Sequence, residues 1–229
     1  MKTLLITILP SILILLFFVF SDKFREPKRI IIITFLFGVL ITIPAGHLNH
    51  FISETFETDS YLNNSLLSGF FAGGLVEETL KFLVLYFYVL REKAFNEPMD
   101  AIVYGTVVSL GFATLENYDY VYRLSDYYEV NPIDMAIARS YSAIPLHATC
   151  GIIMGFYFAM YAFVSGGKNL SLALIVPYIL HGSYNFLVSY NNYYYLVVIV
   201  IAIIFSLLLF KNVRDTQREK YKEDEKKII

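Results

Sequence analysis

Two adjacent glutamates and a lysine, Glu77, Glu78 and Lys81, lie inside an apolar run that extends from residue 65 to residue 90. A run of this length crosses a bilayer core of about 30 Å with some tilt. Because a charge at mid-bilayer costs roughly 2.5–3.5 kcal/mol, these side chains must face protein, water or one another. A charge cluster inside a membrane therefore predicts a functional site.

The three following apolar runs each carry polar side chains that this site can use: Glu116, then His147, then His181 with Asn185 one helical turn further on. At 1.5 Å per residue, the two histidines and the paired glutamates all lie about 15–20 Å from the first residue of their runs. Glu116 and Asn185 lie nearer the outer side. The sequence predicts that four helices bring these residues together near the bilayer midplane.

Two histidines with two or three carboxylates can form a zinc site in which three protein ligands hold the ion and a spare glutamate acts as general base. No HExxH sequence is present, which excludes the usual soluble zincin arrangement. A proton-coupled transporter, with glutamate and histidine as a relay, and a purely structural polar cluster are the alternatives. Arg139 begins the fifth apolar run, where it either reaches toward the interface or binds a carboxylate.

The elements that position these residues follow from hydropathy. The chain has 229 residues, of which 57% are hydrophobic, and its mean hydropathy is +0.57. These values and several apolar runs of 17 or more residues predict an all-α, polytopic transmembrane bundle. The polar residues of spans three to six predict that these four helices form the catalytic core. We expect one membrane domain over 1–210, with its core at about 65–190 and a charged tail over 211–229. The seven predicted spans are 3–20, 30–46, 65–90, 101–118, 137–164, 170–190 and 194–210.

Charge predicts the orientation and excludes some partners. The odd-numbered connections and the tail hold 14 of the 18 basic residues, and the even-numbered connections hold only Arg123. The positive-inside rule then predicts an outside N-terminus and a cytoplasmic C-terminus. A net charge of −2 argues against a nucleic-acid partner, and a single cysteine excludes a disulfide framework.

Small residues recur on the same helical faces as the polar residues. Gly69 and Gly73 precede Glu77 and Lys81 at intervals of four, and a Gly151–Gly155 pair follows His147. Such small-xxx-small spacings let helix backbones approach closely.

These residues resemble the motifs of the PrsW family of intramembrane proteases, which is distantly similar to the CAAX prenyl protease and Abi superfamily. The resemblance covers about residues 65–190. Lys81 stands where CAAX proteases use arginine, and Glu116 stands where their second motif has histidine, and both differences favour the PrsW branch. The matching motifs are Glu77-Glu78-x-x-Lys81, Gly111-Phe112-Ala113-Thr114-Leu115-Glu116-Asn117, His147 with Gly151 and Gly155, and His181-x-x-x-Asn185.

The resemblance implies a multi-pass peptidase of the bacterial cell membrane that cleaves a single-span regulator such as an anti-sigma factor in a stress response. It also implies a metal, which we expect to be zinc. The expected catalytic residues are Glu77, Glu78, His181, Lys81 and Asn185. The expected metal ligands are His147, His181, Glu116 and Glu78. The alternatives are the transporter and a CAAX-protease/Abi-like immunity protein.

Overall fold

The computed structural model describes residues 1–164 and 166–228, with side chains through residue 220. Ser165 of the fifth connection, Ile229 and the side chains of the last tail lysines lie outside these described residues. Every regular element in the described ranges is helical, which confirms the all-α bundle. The elements are α1 (Lys2–Ser21), α2 (Lys28–Thr55), α3 (Tyr61–Leu66), a first π-helix (Leu67–Val76), α4 (Glu77–Phe87), a 3-10 turn (Val89–Arg91), α5 (Pro98–Asp119), a second π-helix (Tyr120–Leu124), α6 (Ser125–Tyr127), α7 (Pro132–Tyr141), α8 (Ala143–Ala159), a third π-helix (Met160–Val164), α9 (Lys168–Ser189) and α10 (Tyr195–Ile228).

Six helical segments of the described chain are long and apolar enough to cross a membrane. The predicted third span corresponds to α3, the first π-helix and α4, which follow one another without a break from residue 61 to residue 87. Every 18-residue stretch of this segment contains Glu77 and Glu78, and their charges lower its mean hydropathy below that of the six other segments. The six segments are Lys2–Ser21, Lys28–Thr55, Pro98–Tyr127, Pro132–Val164, Lys168–Ser189 and Tyr195–Lys220.

The centre of the bundle is the pair α5 and α8. The apolar windows of the segments that contain them are 83% and 78% buried, whereas those of α1, α2, α9 and α10 are 22–28% buried. The outer helices present their remaining surface to lipid, where exposed leucine, isoleucine and phenylalanine side chains are stable. Site residues on α5 and α8 are therefore held by the most densely enclosed part of the protein.

Glycines allow α5 and α8 to touch through their backbones. A Cβ atom added at Gly105 would lie 2.4 Å from the carbonyl oxygen of Gly151, and one added at Gly155 would lie 2.3 Å from that of Ala101. Both distances are far below van der Waals contact. The predicted Gly151–Gly155 pair is thus a close helix contact, and it fixes the separation of α5 from α8.

The first π-helix makes a similar contact with α9. A Cβ atom at Gly69 would lie 2.5 Å from the backbone nitrogen of Phe186, and one at Gly74 would lie 2.9 Å from Cα of Gly182. The i→i+5 bonding of a π-helix places residues five apart on one side, as Gly69 and Gly74 are here. The sequence predicts a stripe of residues at intervals of four, which includes Gly69 and Gly73. This stripe therefore forms only part of the face that contacts α9. The contact brings the start of α4 against His181 of α9.

Candidate functional site

The glutamates lie where the first π-helix ends and α4 begins. The backbone N–H of Glu77 donates to the carbonyl oxygens of both Gly73 and Gly74, four and three residues earlier, so the π-helical bonding has ended at this residue. π-helical segments are rare and are often found at functional sites. Five site side chains from three segments are buried to at least 97%: Glu77, Glu78, Lys81, His147 and His181.

Glu78 connects Lys81 to His181. Its Oε1 atom lies 2.8 Å from Lys81 Nζ and 2.7 Å from His181 Nδ1. An ionised carboxylate can only accept hydrogen bonds, so His181 Nδ1 carries the proton in this arrangement. The other ring nitrogen, His181 Nε2, then has a lone pair, and it lies 3.7 Å from Glu77 Oε2.

His147 lies between a cation and a carboxylate. Its Nδ1 atom is 2.9 Å from Lys81 Nζ, and its Nε2 atom is 2.9 Å from Glu116 Oε2. An ammonium group has donors only, so Nδ1 accepts and Nε2 donates to Glu116. The rings of His147 and His181 are 4.9 Å apart and nearly perpendicular. The helices therefore bring the two histidines together, as the sequence predicts.

Arg139 holds Glu116 in place. Its guanidinium bonds Glu116 Oε2 at 2.5 Å and Asn117 Oδ1 at 2.7 Å, and it lies 3.8 Å from the ring centre of Tyr120. The predicted fifth span is not one helix, because the backbone breaks between α7 and α8 at Ser142. Because of this break, α7, which carries Arg139, does not continue along the axis of α8. Of the two roles considered for Arg139, the structure shows carboxylate binding.

Asn49 of α2 is a contact that the sequence analysis missed. Its Nδ2 atom donates to Glu77 Oε1 at 3.1 Å. The predicted second span ended at residue 46, whereas α2 continues to Thr55. A signal was present, since Asn49 extends an inward face formed by Gly38, Thr42 and Ala45 at helical spacing.

Asn185 lies one turn beyond His181 on α9 and is half-buried. A Cβ atom at Gly73 would lie 2.3 Å from Asn185 Nδ2. Glycine at position 73 therefore leaves the space that the amide occupies. This arrangement places Asn185 on the wall of the site, between the first π-helix and α9.

The geometry and donor types fit a metal ion. Glu77, His147 and His181 each offer one ligand atom, and the three atoms lie within 4.8 Å of one another. Two ligands of a tetrahedral zinc ion are about 3.4 Å apart, so the three side chains must draw together as the ion binds. Glu77 Oε2 is buried and has no hydrogen-bond partner, as expected of a ligand oxygen.

The remaining two carboxylates lie behind the histidines. Glu78 bonds His181 and Glu116 bonds His147, each through one ring nitrogen. We expected both as ligands, but neither belongs to the group of three that converges. Metal-ligating histidines usually donate their other N–H to a carboxylate in this way.

The charges of the site also favour an added cation. Two buried carboxylates, Glu77 and Glu78, and the partly buried Glu116 face two permanent cations, Lys81 and Arg139. Uncompensated buried charge is strongly unfavourable. A metal ion or a proton removes the excess negative charge, and so the site is suited to hold either.

Comparison with known proteins agrees with this geometry. The sequence model described as "PrsW family intramembrane metalloprotease" matches residues 26–210. A protein named Protease PrsW from Bacillus subtilis (strain 168) is 35% identical over 186 residues, covering 80% of each chain. Its namesake from Geobacillus kaustophilus (strain HTA426) is 35% identical over 182 residues, covering 78% of this chain and 76% of the relative.

A third relative extends the similarity over nearly the whole chain. Protease PrsW of Clostridioides difficile (strain 630) is 32% identical over 232 residues, which covers 98% of this chain and 93% of the relative. No solved structure matches the chain. The matched region includes all the buried site residues described above. The chain therefore belongs to the PrsW family of intramembrane metalloproteases and is a multi-pass membrane peptidase.

Proposed function

We propose that this peptidase cleaves a single-span membrane protein, of the regulatory class to which anti-sigma factors belong, with water activated by Glu78. The observation that carries the proposal is the second oxygen of Glu78. Glu78 Oε2 is buried and unpartnered, while Oε1 of the same carboxylate is fixed by Lys81 and His181. A general base needs such a free acceptor beside the reacting water.

Glu77, His147 and His181 would hold the metal, which we propose to be zinc. When bound, it supplies a water of lowered pKa and polarises the scissile carbonyl. Both ring nitrogens of His147 have partners in this structure, so ligation through His147 requires one of them to yield. Lys81 is the partner that gives way more readily, because its ammonium also has Glu78 at 2.8 Å.

The residues of the chain then divide the proton transfer and the positioning. Glu78 takes a proton from the attacking water and returns it to the leaving amine. Lys81 balances the negative charge of Glu78 before it takes the proton and again after it has returned the proton. Asn185 donates its amide N–H to the developing oxyanion, a role suited to a neutral donor on the wall of the site.

Glu116 and Arg139 act as positioning residues in this proposal. Arg139 fixes Glu116, and Glu116 fixes the ring of His147. We expected Glu116 and Glu78 to be ligands. Their contacts instead favour a role in orienting the two histidines, with Glu77 as the carboxylate ligand.

The substrate class is tested in cells. We expect membranes that contain the wild-type protein to show new N-termini in a small set of single-span proteins. Membranes that contain Glu78→Gln should accumulate the same proteins uncut. Quantitative mass spectrometry of N-terminal peptides measures both. Identical N-terminal profiles in the two membranes would contradict the proposal.

We also propose that the C-terminus is cytoplasmic and the N-terminus is outside. Support comes from Gln217 of α10, which contacts Asp22 in the first connection and Glu97 in the third. The first and third connections (residues 21–29 and 91–100), which together hold six lysine and arginine residues, thus share one side with the tail. A fluorescent protein fused after Ile229 should fluoresce, and alkaline phosphatase inserted after Asn64 should be active. The opposite pattern would refute the orientation.

A further inference from the structure

A second group of buried acids lies far along α5 from the active site. Asp22, Glu26 and Asp100 each offer a carboxylate oxygen, and the three oxygens lie within 4.8 Å of one another. Glu97 lies beside them and shares the amide of Gln217 with Asp22. All four side chains are at least 92% buried. They come from the connection between α1 and α2 and from the start of α5.

Two oxygens of this group receive no hydrogen bond from an amide, hydroxyl or basic group of the protein. Asp100 Oδ2 accepts the backbone N–H groups of Asn96 and Glu97, both at 2.8 Å, but Asp100 Oδ1 has no such donor. Asp22 Oδ1 accepts from Gln217 at 2.6 Å, but Asp22 Oδ2 has none. Without a cation, the Asp100 and Glu26 carboxyls are close enough to share a proton. Buried carboxylate oxygens without partners are strongly unfavourable. Asp100 Oδ1 and Asp22 Oδ2 are therefore the oxygens that can coordinate a ligand.

Close charge compensation by the cations of the adjoining cleft is small. Arg25 and Lys220 form no ion pair of 4.0 Å or less with any of the four carboxylates among the described side chains, and Lys220 acts on Glu97 only from a greater distance. Arg25 and Lys220 line the adjoining cleft, and the Arg25 guanidinium lies over the ring of Phe20. Burial raises the pKa of Asp22 and of Glu26, the direction expected for carboxyls that lack a cation.

We propose that this group is a second metal site, in which Asp22, Glu26 and Asp100 bind a hard divalent cation of calcium size. An all-oxygen, carboxylate-rich donor set selects Ca²⁺ or Mg²⁺ over zinc. The three oxygens lie within 4.8 Å of one another, which is close enough to share one ion. Three protein carboxylates favour Ca²⁺, because Mg²⁺ usually keeps several waters and binds only one or two carboxylates.

Solvent can reach the site. Glu26 and Glu97 also line a cleft of about 590 Å³ that is open at the surface. The carboxylates of Asp22 and Glu26 come from one segment, and that of Asp100 comes from another. Without a cation these negative charges repel one another, whereas a cation that enters through the cleft would be bound by all three. Because Gln217 bonds Asp22 and Glu97, the cation would also secure α10 to the rest of the bundle. The site is independent of the catalytic centre and of its proposed mechanism.

Terbium luminescence tests the proposal on the full-length protein in detergent. Tb³⁺ binds calcium sites and is excited through nearby tyrosine, and Tyr104 donates a hydrogen bond to Glu26. The chain has no tryptophan to compete as a sensitiser. We expect saturable emission at one equivalent, displaced by Ca²⁺, by Mg²⁺ only at higher concentration, and not by K⁺.

Substitutions identify the ligands. Glu26→Gln and Asp100→Asn should each weaken Tb³⁺ and Ca²⁺ binding by at least about tenfold, because each removes a charged ligand. Glu219→Gln alters an exposed acid on α10 and should bind as the wild type does. His181→Ala should also bind normally, which separates this site from the catalytic centre.

Two results would overturn the inference. One is a wild-type protein with no Ca²⁺-displaceable emission, which decides the matter whether or not a variant folds. The other is unchanged affinity in a folded Glu26→Gln protein. Preference for Mg²⁺ over Ca²⁺ would contradict the size assignment.

Discussion

Replacing Glu78 by glutamine is expected to lower the rate of substrate cleavage by about 10²–10⁴-fold, the usual contribution of a general base. Glutamine retains the shape of the side chain but cannot accept the proton from water. Lys81 keeps Glu77 as a nearby carboxylate, at 3.9 Å, so the buried ammonium is not left alone. We therefore expect the variant to insert and fold.

His181→Ala should reduce cleavage at least as severely, because it removes both a proposed ligand and the partner of Glu78. Initial rates on a tagged single-span substrate, with purified protein in detergent, measure both variants. Glu54→Gln is the matched control, since Glu54 is an exposed acid paired with His50 on α2. Thermal unfolding checks that each protein is folded. Wild-type rates in both folded variants would remove catalysis from this site.

Gly105→Ala is expected to lower the free energy of unfolding by about 1–3 kcal/mol, the range for overpacking a tightly packed core. The new Cβ would lie 2.4 Å from a backbone oxygen of α8, which cannot rotate away as a side chain can. The helices α5 and α8 must then separate. Because they carry Glu116 and His147, cleavage should fall as well.

Gly46→Ala provides the same chemical change without the contact. No atom lies within 4 Å of a Cβ atom added at Gly46 on α2. Alanine there should be neutral or stabilising by about 0.5–1 kcal/mol through helix propensity. Thermal unfolding in one detergent compares the two variants. Equal stability of the Gly105→Ala and Gly46→Ala proteins would show that close backbone contact between α5 and α8 is not needed for stability.

The bundle and the depth of its polar residues could be predicted from the sequence because lipid imposes simple rules. Apolar length marks a span, and a charge inside it must find partners. Counting residues along four spans was enough to place His147 and His181 at one depth. Their lateral meeting, at 4.9 Å between ring centres, needed the structure.

The other contacts depend on local departures from a regular helix. A period of 3.6 residues does not anticipate the first π-helix, which aligns Gly69 with Gly74 against α9. The break at Ser142 separates Arg139 from α8, and hydropathy does not register it. Asn49 lies in a polar stretch that looks like a loop until α2 is seen to continue through it.

The buried acids at the other end of α5 could not be recognised from the sequence for a different reason. Asp22 and Glu26 lie more than seventy positions before Asp100, in connections that hydropathy describes only as polar. Their burial depends on α10, whose Gln217 contacts the group. Only the assembled bundle brings them together.

The most direct test of a metal-dependent glutamate mechanism is the cleavage rate of the wild-type protein before metal removal, after it, and after zinc is restored. Zinc content is measured on each sample, and Ca²⁺ is supplied throughout so that the proposed second site stays filled. We predict that removal lowers the rate to that of His181→Ala and that about one equivalent of zinc restores it. Full cleavage by a protein shown to be free of metal would contradict the account.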